Sequence, residues 1–354
     1  MQKYSFLSVF LNFKSKNEKM ILVTGATGLV GGNLIWHLLQ ENDTVTAIRR
    51  PTSNLDPLHV IFSSYTSTPG LFLSRIVWKI ADVLDEKSIL EAMIGVSVVY
   101  HCAAIVSFDP KSENITDTNI TGTRNVVRAA LESKIDKLCF VSSIAACGKG
   151  SKGAPVDEDT VWSTDHLHSV YSQSKFYSEQ EVWNGINQGL NAVIVNPGVI
   201  LGVSGTDTGS SQLFSQVQKG LMFYTNGGSG YVDVRDVVKS MILLTKSNIS
   251  GERFVLVGEN CSNKEIISWM ADGFGKHRPV FPVGKLLLQS IGSVMEIAGK
   301  IFHFHPLIDS EMAQIITQRE YYANSKIKNA IGINFNPIEQ CIREICSSRN
   351  KVEL

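Results

Sequence analysis

The 354-residue chain has no excess of charge of either sign, since 33 Lys and Arg stand against 33 Asp and Glu. No global field therefore draws it to nucleic acid or to an anionic membrane surface. Cysteine is scarce and scattered. The six cysteines include no C-x-x-C pair, so neither a disulfide framework nor a zinc site is expected, and they read as reduced thiols of a cytoplasmic protein. No apolar run is long enough to cross a bilayer. The nearest, "VGKLLLQSIGSVMEIAGKIF" at 283–302, is broken by Lys285, Gln289, Glu296 and Lys300 and reads as a helix covering a core. No internal repeat is visible. No metal site is expected either, because His166, His168, His303 and His305 lack further ligands at suitable spacing.

What is present begins at Met20. Residues 1–19 are basic with a short apolar stretch, and they lack the long apolar core and cleavage site of a secretory signal. They are expected to be a disordered or surface extension upstream of a start at Met20. The closing "KVEL" matches a retention signal only loosely and reads as chance. From Met20 onward, apolar β-like runs alternate with helical patterns. Strands are expected at Met20–Val23, Thr44–Ile48, Arg75–Ile80, Val96–Tyr100, Lys137–Val141 and Ala192–Val195. Helices are expected at Asn33–Gln40, Glu86–Ile94, Ile120–Ser133 and Val170–Gly185. This alternation predicts an α/β protein, a doubly wound parallel sheet with helices on both faces. After Gly202 the pattern loosens. "GVSGTDTGSSQ" reads as a loop, "YVDVRDVVKSMILLT" as a turn and a helix, "RFVLVG" as a strand, and the rest as helical and irregular.

The stretch "MILVTGATGLVGGNLIWHLLQ" (Met20–Gln40) sets Gly25, Gly28, Gly31 and Gly32 where a strand passes into a helix. A helix N-terminus carries free N–H groups and partial positive charge. A pyrophosphate sits there only where the backbone is bare. Gly25 permits the turn, Gly28 the approach of the phosphates, and Gly31 the close packing of helix on strand. In an NAD site, an acidic residue ending the second strand accepts hydrogen bonds from the ribose. Here "TVTAI" ends in Arg49 and Arg50 instead, and an arginine suits a 2′-phosphate. NADP is therefore the preferred cofactor and NAD the alternative. Residues 20–202 and 229–258 are assigned to the nucleotide-binding domain, and 203–228 with 259–354 to a smaller substrate-binding lobe. Further along, Tyr171 and Lys175 share one helical face. An ammonium beside a phenol lowers its pKa, so the tyrosine is expected to exchange protons with a ketone or alcohol near neutral pH.

The spacing T-G-x-x-G-x-x-G (Thr24 to Gly31) is followed in order by "ADVLD", "HCAA", "FVSS", "YSQSK" and "VNPGVILG". Over nearly all of residues 20–340 the chain resembles the extended short-chain dehydrogenases/reductases, most of all the dihydroflavonol reductase and 3β-hydroxysteroid dehydrogenase branch. The resemblance implies a Rossmann-type fold with the cofactor on Thr24, Gly25, Thr27, Gly28, Leu29, Val30 and Gly31. It also implies contacts from Arg49 and Arg50, from Asp82 beside the adenine and from Val83. Cys102, Ala103, Ala104 and Asn119 would follow, with Tyr171, Lys175, Pro197, Gly198 and Val199 around the nicotinamide. Ser143, Tyr171 and Lys175 would be catalytic, with Ser143 holding the substrate oxygen and Lys175 reaching the nicotinamide ribose.

The implied partner is a small-molecule substrate. By analogy a homodimer would form through the helices containing Ile120–Ser133 and Val170–Gly185. Sugar-nucleotide dehydratases of this kind place Asp-Glu after the catalytic hydroxyl, whereas Ile144 and Ala145 stand here and cannot transfer protons. Epimerases carry an arginine before the "YVDVRD" block, where this chain has "GGSG" at 227–230. The expected function is an NADP(H)-dependent reductase or dehydrogenase of a ketone or secondary alcohol. A nucleotide-sugar epimerase and a dinucleotide-sensing regulatory protein are the alternatives.

Overall fold

A computed structural model describes residues 19–106, 115–150, 154–163, 168–288, 290 and 316–352. The chain opens with β1 (Ile21–Thr24), α1 (Leu29–Leu38), β2 (Val45–Arg49) and the short helices α2 (Asp56–Ser63) and α3 (Pro69–Leu73). Next come β3 (Ile76–Ile80), α4 (Glu86–Ala92) and β4 (Val98–His101). A π-helical turn, Asp117–Thr121, leads into α5 (Gly122–Glu132), β5 (Lys137–Val141), α6 (Val170–Asn187) and β6 (Ala192–Pro197). The later elements are β7 (Val199–Leu201), α7 (Ser210–Gln218), β8 (Phe223–Thr225), β9 (Gly228–Asp233), α8 (Val234–Lys246) and β10 (Glu252–Leu256). They are followed by β11 (Glu259–Ser262), α9 (Asn263–Gly273), β12 (Phe281–Val283), α10 (Ser325–Ile331) and α11 (Ile338–Val352).

Seven strands form one all-parallel sheet in the order β3-β2-β1-β4-β5-β6-β10. Successive residues of each strand serve opposite faces. Val23, Ala47, Cys139, Val141, Val193 and Val195 pack on one side with Leu34, Ile35 and Phe62. Leu22, Val99, Leu138, Phe140, Ala192 and Ile194 pack on the other with Val126 and Val182. Burial on both faces explains why these strands read as continuous apolar runs. The strand order reverses between β1 and β4, so their carboxyl ends open a crevice, which is where a doubly wound sheet binds its ligand.

Outside the main sheet, β9 pairs with β7 on one side and β11 on the other, while β8 and β12 make a separate two-stranded ribbon. Phe214, Tyr231, Ile266, Met270, Ile342 and Ile345 close a third core there. α7 begins at Ser210, inside the stretch read as a loop, and two more described helices are unforeseen by the sequence reading, α2 and α3. Each starts on a proline within its first turn, and Phe62 and Phe72 sit against Trp36 of α1 at centroid distances of 5.4 and 4.6 Å. α1 begins at Leu29 rather than Asn33, because its glycine-rich first turn hides helical propensity. The 283–302 stretch lies largely outside the described residues, and no described helix is long and apolar enough to cross a membrane.

Candidate active site

The glycine turn after β1 faces the crevice, and its glycines have distinct physical reasons. Gly25 has φ +66°, and a Cβ there would lie 2.6 Å from Ala103 N. A Cβ on Gly31 would lie 2.2 Å from Gly25 O, so the first turn of α1 is pressed onto the loop itself. Gly28 differs. A Cβ there would meet nothing closer than Gly25 O at 3.4 Å, an ordinary contact. The protein's own packing therefore does not demand glycine at 28. The exposed Gly28 is also the N-cap of α1, with no side-chain cap and no acidic residue in the first turn. Bare N–H groups at a helix N-terminus, opening onto a crevice, suit a pyrophosphate. Thr27, Leu29 and Val30 flank it, each partly exposed.

At the end of β2, Arg49 Nε is buried without a hydrogen-bond partner, and its guanidinium lies 6.0 Å from the Trp78 ring centroid. Arg50 is exposed and donates its N–H to Ser53 Oγ at 3.0 Å. Asp82 is half-buried and uses one oxygen locally, accepting from Leu84 N at 3.0 Å, while Val83 is core. These positions rim the β1–β2–β3 side of the crevice.

The opposite rim is held by a directional hydrogen-bond chain. Thr123 Oγ1 donates to Asn119 O at 2.6 Å, so it accepts from His101 Nε2 at 3.1 Å. His101 Nδ1 is then the acceptor for Thr24 Oγ1 at 2.8 Å, and Thr24 Oγ1 accepts from Ala103 N at 3.2 Å. This assigns the Nε2–H tautomer from the network. Burial holds His101 neutral, pushing its pKa down to about 3, with Lys175 adding to the effect. The chain thus fixes the Cys102–Ala104 segment against β1. Asn119 is fully committed to structure. Its Oδ1 accepts from Ile105 N at 2.8 Å, and its Nδ2 donates to Ile105 O at 3.0 Å and to Ser174 Oγ at 2.9 Å. Sequence reasoning counted Asn119 and missed His101, although "HCAA" contains it.

Tyr171 and Lys175 lie in the first turns of α6, which Ser169 caps by accepting from Ser172 N at 3.0 Å. The Tyr171 hydroxyl hydrogen-bonds Ser143. Ser143 follows β5 and its Oγ accepts from Ala145 N at 3.1 Å, while its carbonyl accepts from Asn196 Nδ2 at 3.0 Å. The structure therefore unites the three residues expected to be catalytic. One expectation is corrected. Lys175 does not lower Tyr171 here: its Nζ donates to Val141 O at 2.9 Å and sits 5.3 Å from the Phe140 ring centroid. Burial raises the Tyr171 pKa and the Ser143 bond only partly opposes it. Lys175 is itself lowered to about 8 by burial, against the pull of Glu179 and then Cys102. Helical spacing placed the two side chains on one face, but it could not show which carbonyl the lysine reaches.

Pro197 ends β6, and Gly198 is buried with no room for a Cβ, which would lie 2.3 Å from Gly230 O. Val199 follows, half-buried, at the start of β7. His168 hydrogen-bonds Ser163 O through Nε2 at 2.7 Å and stacks on Trp162 at 3.7 Å. His166, His303 and His305 lie outside the described residues, and among those described no cluster could hold a metal. Cys147 is buried in a small core with Ile144, Val156, Val255 and Val257. Glu179 and Arg253, absent from the sequence reading, stand directly behind Lys175 and Ser143.

Comparison with known proteins agrees with this fold. A Synechocystis sp. protein provisionally named dihydroflavonol 4-reductase is 29% identical over 330 residues, 91% of this chain and 92% of its own. Sterol demethylase protein B of Methylococcus capsulatus is 31% identical over 76% of this chain and 79% of its own. The crystal structure of gox2253 superposes with a TM-score of 0.78 at 26% identity, covering 95% of this chain and 99% of that one. The profile of the NAD dependent epimerase/dehydratase family matches residues 21–258. A match running from β1 to the loop after β10 takes in the whole seven-stranded sheet, and this chain belongs to that NAD dependent epimerase/dehydratase family.

Proposed function

We propose that the protein is an NADP(H)-dependent reductase that converts a ketone to a secondary alcohol, or the reverse, at Ser143, Tyr171 and Lys175. The observation that carries this reading is the Tyr171–Ser143 hydrogen bond beside the glycine-turn crevice, with a buried Lys175 behind it. The bound cofactor would supply the hydride, held by the α1 N-terminus, the Cys102–Ala104 segment and Lys175. The chain supplies the rest. Ser143 Oγ, fixed by Ala145 N–H, is placed to hold the carbonyl oxygen. Tyr171 gives that oxygen its proton. Lys175, whose Nζ is held at Val141 O, would reach the nicotinamide ribose and keep the cofactor aligned with Tyr171. The unpaired Arg49 Nε at the end of β2 favours a 2′-phosphate and hence NADP over NAD.

The shape of the 227–230 segment favours an uncharged substrate. Gly227 would press a Cβ to 2.2 Å from Ile316 O, and Gly230 to 2.6 Å from Val257 Cγ2. An arginine for a substrate diphosphate has no room at either place. The names of the two relatives, a dihydroflavonol reductase and a sterol demethylase protein, support the same choice.

The test offers NADPH and NADH side by side to the full chain, with a dihydroflavonol, other ketones and a UDP-sugar. A reductase consumes NADPH in proportion to alcohol formed. UDP-sugar epimerisation without net loss of reduced cofactor would overturn the reading. Tyr171→Phe should lower kcat by about two to four orders of magnitude with cofactor affinity retained.

A further inference from the structure

Tyr171, Lys175 and Glu179 lie one helical turn apart on the same face of α6, and all are buried, Glu179 completely. A fully buried carboxylate needs partners. Glu179 Oε2 accepts from Ser142 Oγ at 3.0 Å and from Asn196 Nδ2 at 3.1 Å. The same Asn196 amide also donates to Ser143 O at 3.0 Å. Oε1 faces Arg253 Nη1 at 3.7 Å, and Arg253 is itself held by Glu158 O at 2.8 Å. Burial raises the Glu179 pKa, and Arg253, then Asn196 and Ser142, oppose that rise; every group named at the two oxygens is a donor, which suits the ionised carboxylate, although Oε1 has the Arg253 charge and no hydrogen bond. The catalytic helix, the Ser143 segment, β6 and β10 thus converge on one side chain.

We propose that Glu179 is a positioning residue of the reacting centre: its buried carboxylate holds Lys175 in the charged form and pins the backbone of Ser143. This rests on the reading that Tyr171 and Lys175 are the proton-transfer pair. The other groups packed here do not substitute for it. His101 and Cys102 follow β4, Cys147 follows β5, and Arg253 comes from β10. Burial keeps both thiols neutral, pushing each up to about 12, and keeps His101 neutral, down to about 3. Arg253 carries the wrong sign. Burial favours the neutral amine of Lys175, and the Glu179 carboxylate, one turn along the same helical face, opposes it more than any other group.

The experiment follows the protonation of Lys175 by NMR titration of the full chain, with lysine labelled at Cε and the signal assigned through Lys175→Met. In Glu179→Gln the midpoint should fall by about one pH unit or more, since an opposite charge nearby is worth that much. The alkaline limb of ketone reduction should move down with it. Glutamine accepts the same two hydrogen bonds, so a purely structural role predicts an unchanged midpoint, and that result would overturn the proposal. Should Glu179→Gln not fold, Glu179→Gln with Arg253→Gln leaves no unpaired guanidinium; the downward shift is then expected to be smaller, because a neighbouring positive charge is lost too, and an unchanged midpoint is again fatal. The titration needs no substrate. Full ketone reduction in Tyr171→Phe would instead sink the proton-donor reading and leave the Lys175 midpoints standing.

Discussion

Gly28 and Gly31 are both glycine, for different reasons, and substitution separates them. At Gly31 a Cβ has nowhere to go, lying 2.2 Å from Gly25 O, so Gly31→Ala should destabilise the fold itself by about 1–3 kcal/mol, read by thermal or denaturant melting. At Gly28 the space is open on the protein side. Gly28→Val should leave the melting curve intact and abolish NADPH binding in calorimetry; unchanged affinity would remove the turn from the site. Arg49→Asp should weaken NADPH and spare NADH, and tighter NADH binding by the unaltered protein would refute the 2′-phosphate assignment. His101 gives a pH dependence. Its pKa falls from 6.5 to about 3 on burial, so the folded state binds its proton less well than the unfolded chain. Its contribution to stability is full above pH 6.5 and is lost as pH falls towards 3. His101→Gln should flatten melting temperature against pH across that window.

α6 shows how one element is assembled from local and distant causes. Its start is local, since Ser169 caps the helix just before Tyr171. Ser169→Ala should cost about 1 kcal/mol of stability. Because the frayed turn is the one that carries Tyr171, kcat should fall more than cofactor affinity. The lateral hold on α6 is distant. Asn119, in the π-helical turn before α5, joins Ile105 to Ser174. Asn119→Ala leaves the backbone N–H and carbonyl of Ile105 without these bonds and should cost about 1–3 kcal/mol in denaturant melting. Conservative replacement by Asp should rescue only the bond from Ile105 N.

At the scale of the whole molecule, the carboxyl-terminal helix closes a core that the sheet does not touch. Ile342 of α11 is fully buried with Phe214, Ile266 and Met270. Just before that helix, Asn336 is tied to α8, where Asp236 accepts from its N–H at 2.7 Å and from its Nδ2 at 2.8 Å. The loop after β7 crosses back to the first half of the chain: a Cβ on Gly205 would lie 2.2 Å from Pro57 Cα in α2. Ile342→Ala should lower stability by about 2–5 kcal/mol in denaturant melting. NADPH affinity below the transition should stay near that of the parent, because the glycine turn follows β1 and Arg49 ends β2 in the seven-stranded sheet, outside this core. A matching loss of affinity would show the two regions to be one cooperative unit.

The features legible in the sequence are those whose cause is local. A strand buried on both faces must be apolar at every position, so β1, β2, β4, β5 and β6 announce themselves. A turn that brings a bare helix end to a phosphate must be glycine, and a proton-transfer pair on one helical face must be four residues apart. What the sequence left undecided depends on which distant groups meet. α2 and α3 exist because they cover Trp36, not because their own pattern is strong. The pairing of β9 with both β7 and β11 joins segments that no periodicity links. The direction of the Tyr171 shift follows from burial and from Lys175 reaching Val141 O, and the partners of Glu179 come from β5, β6 and β10. Desolvation and long-range hydrogen bonds belong to the packed chain, so only the tertiary structure could assign them.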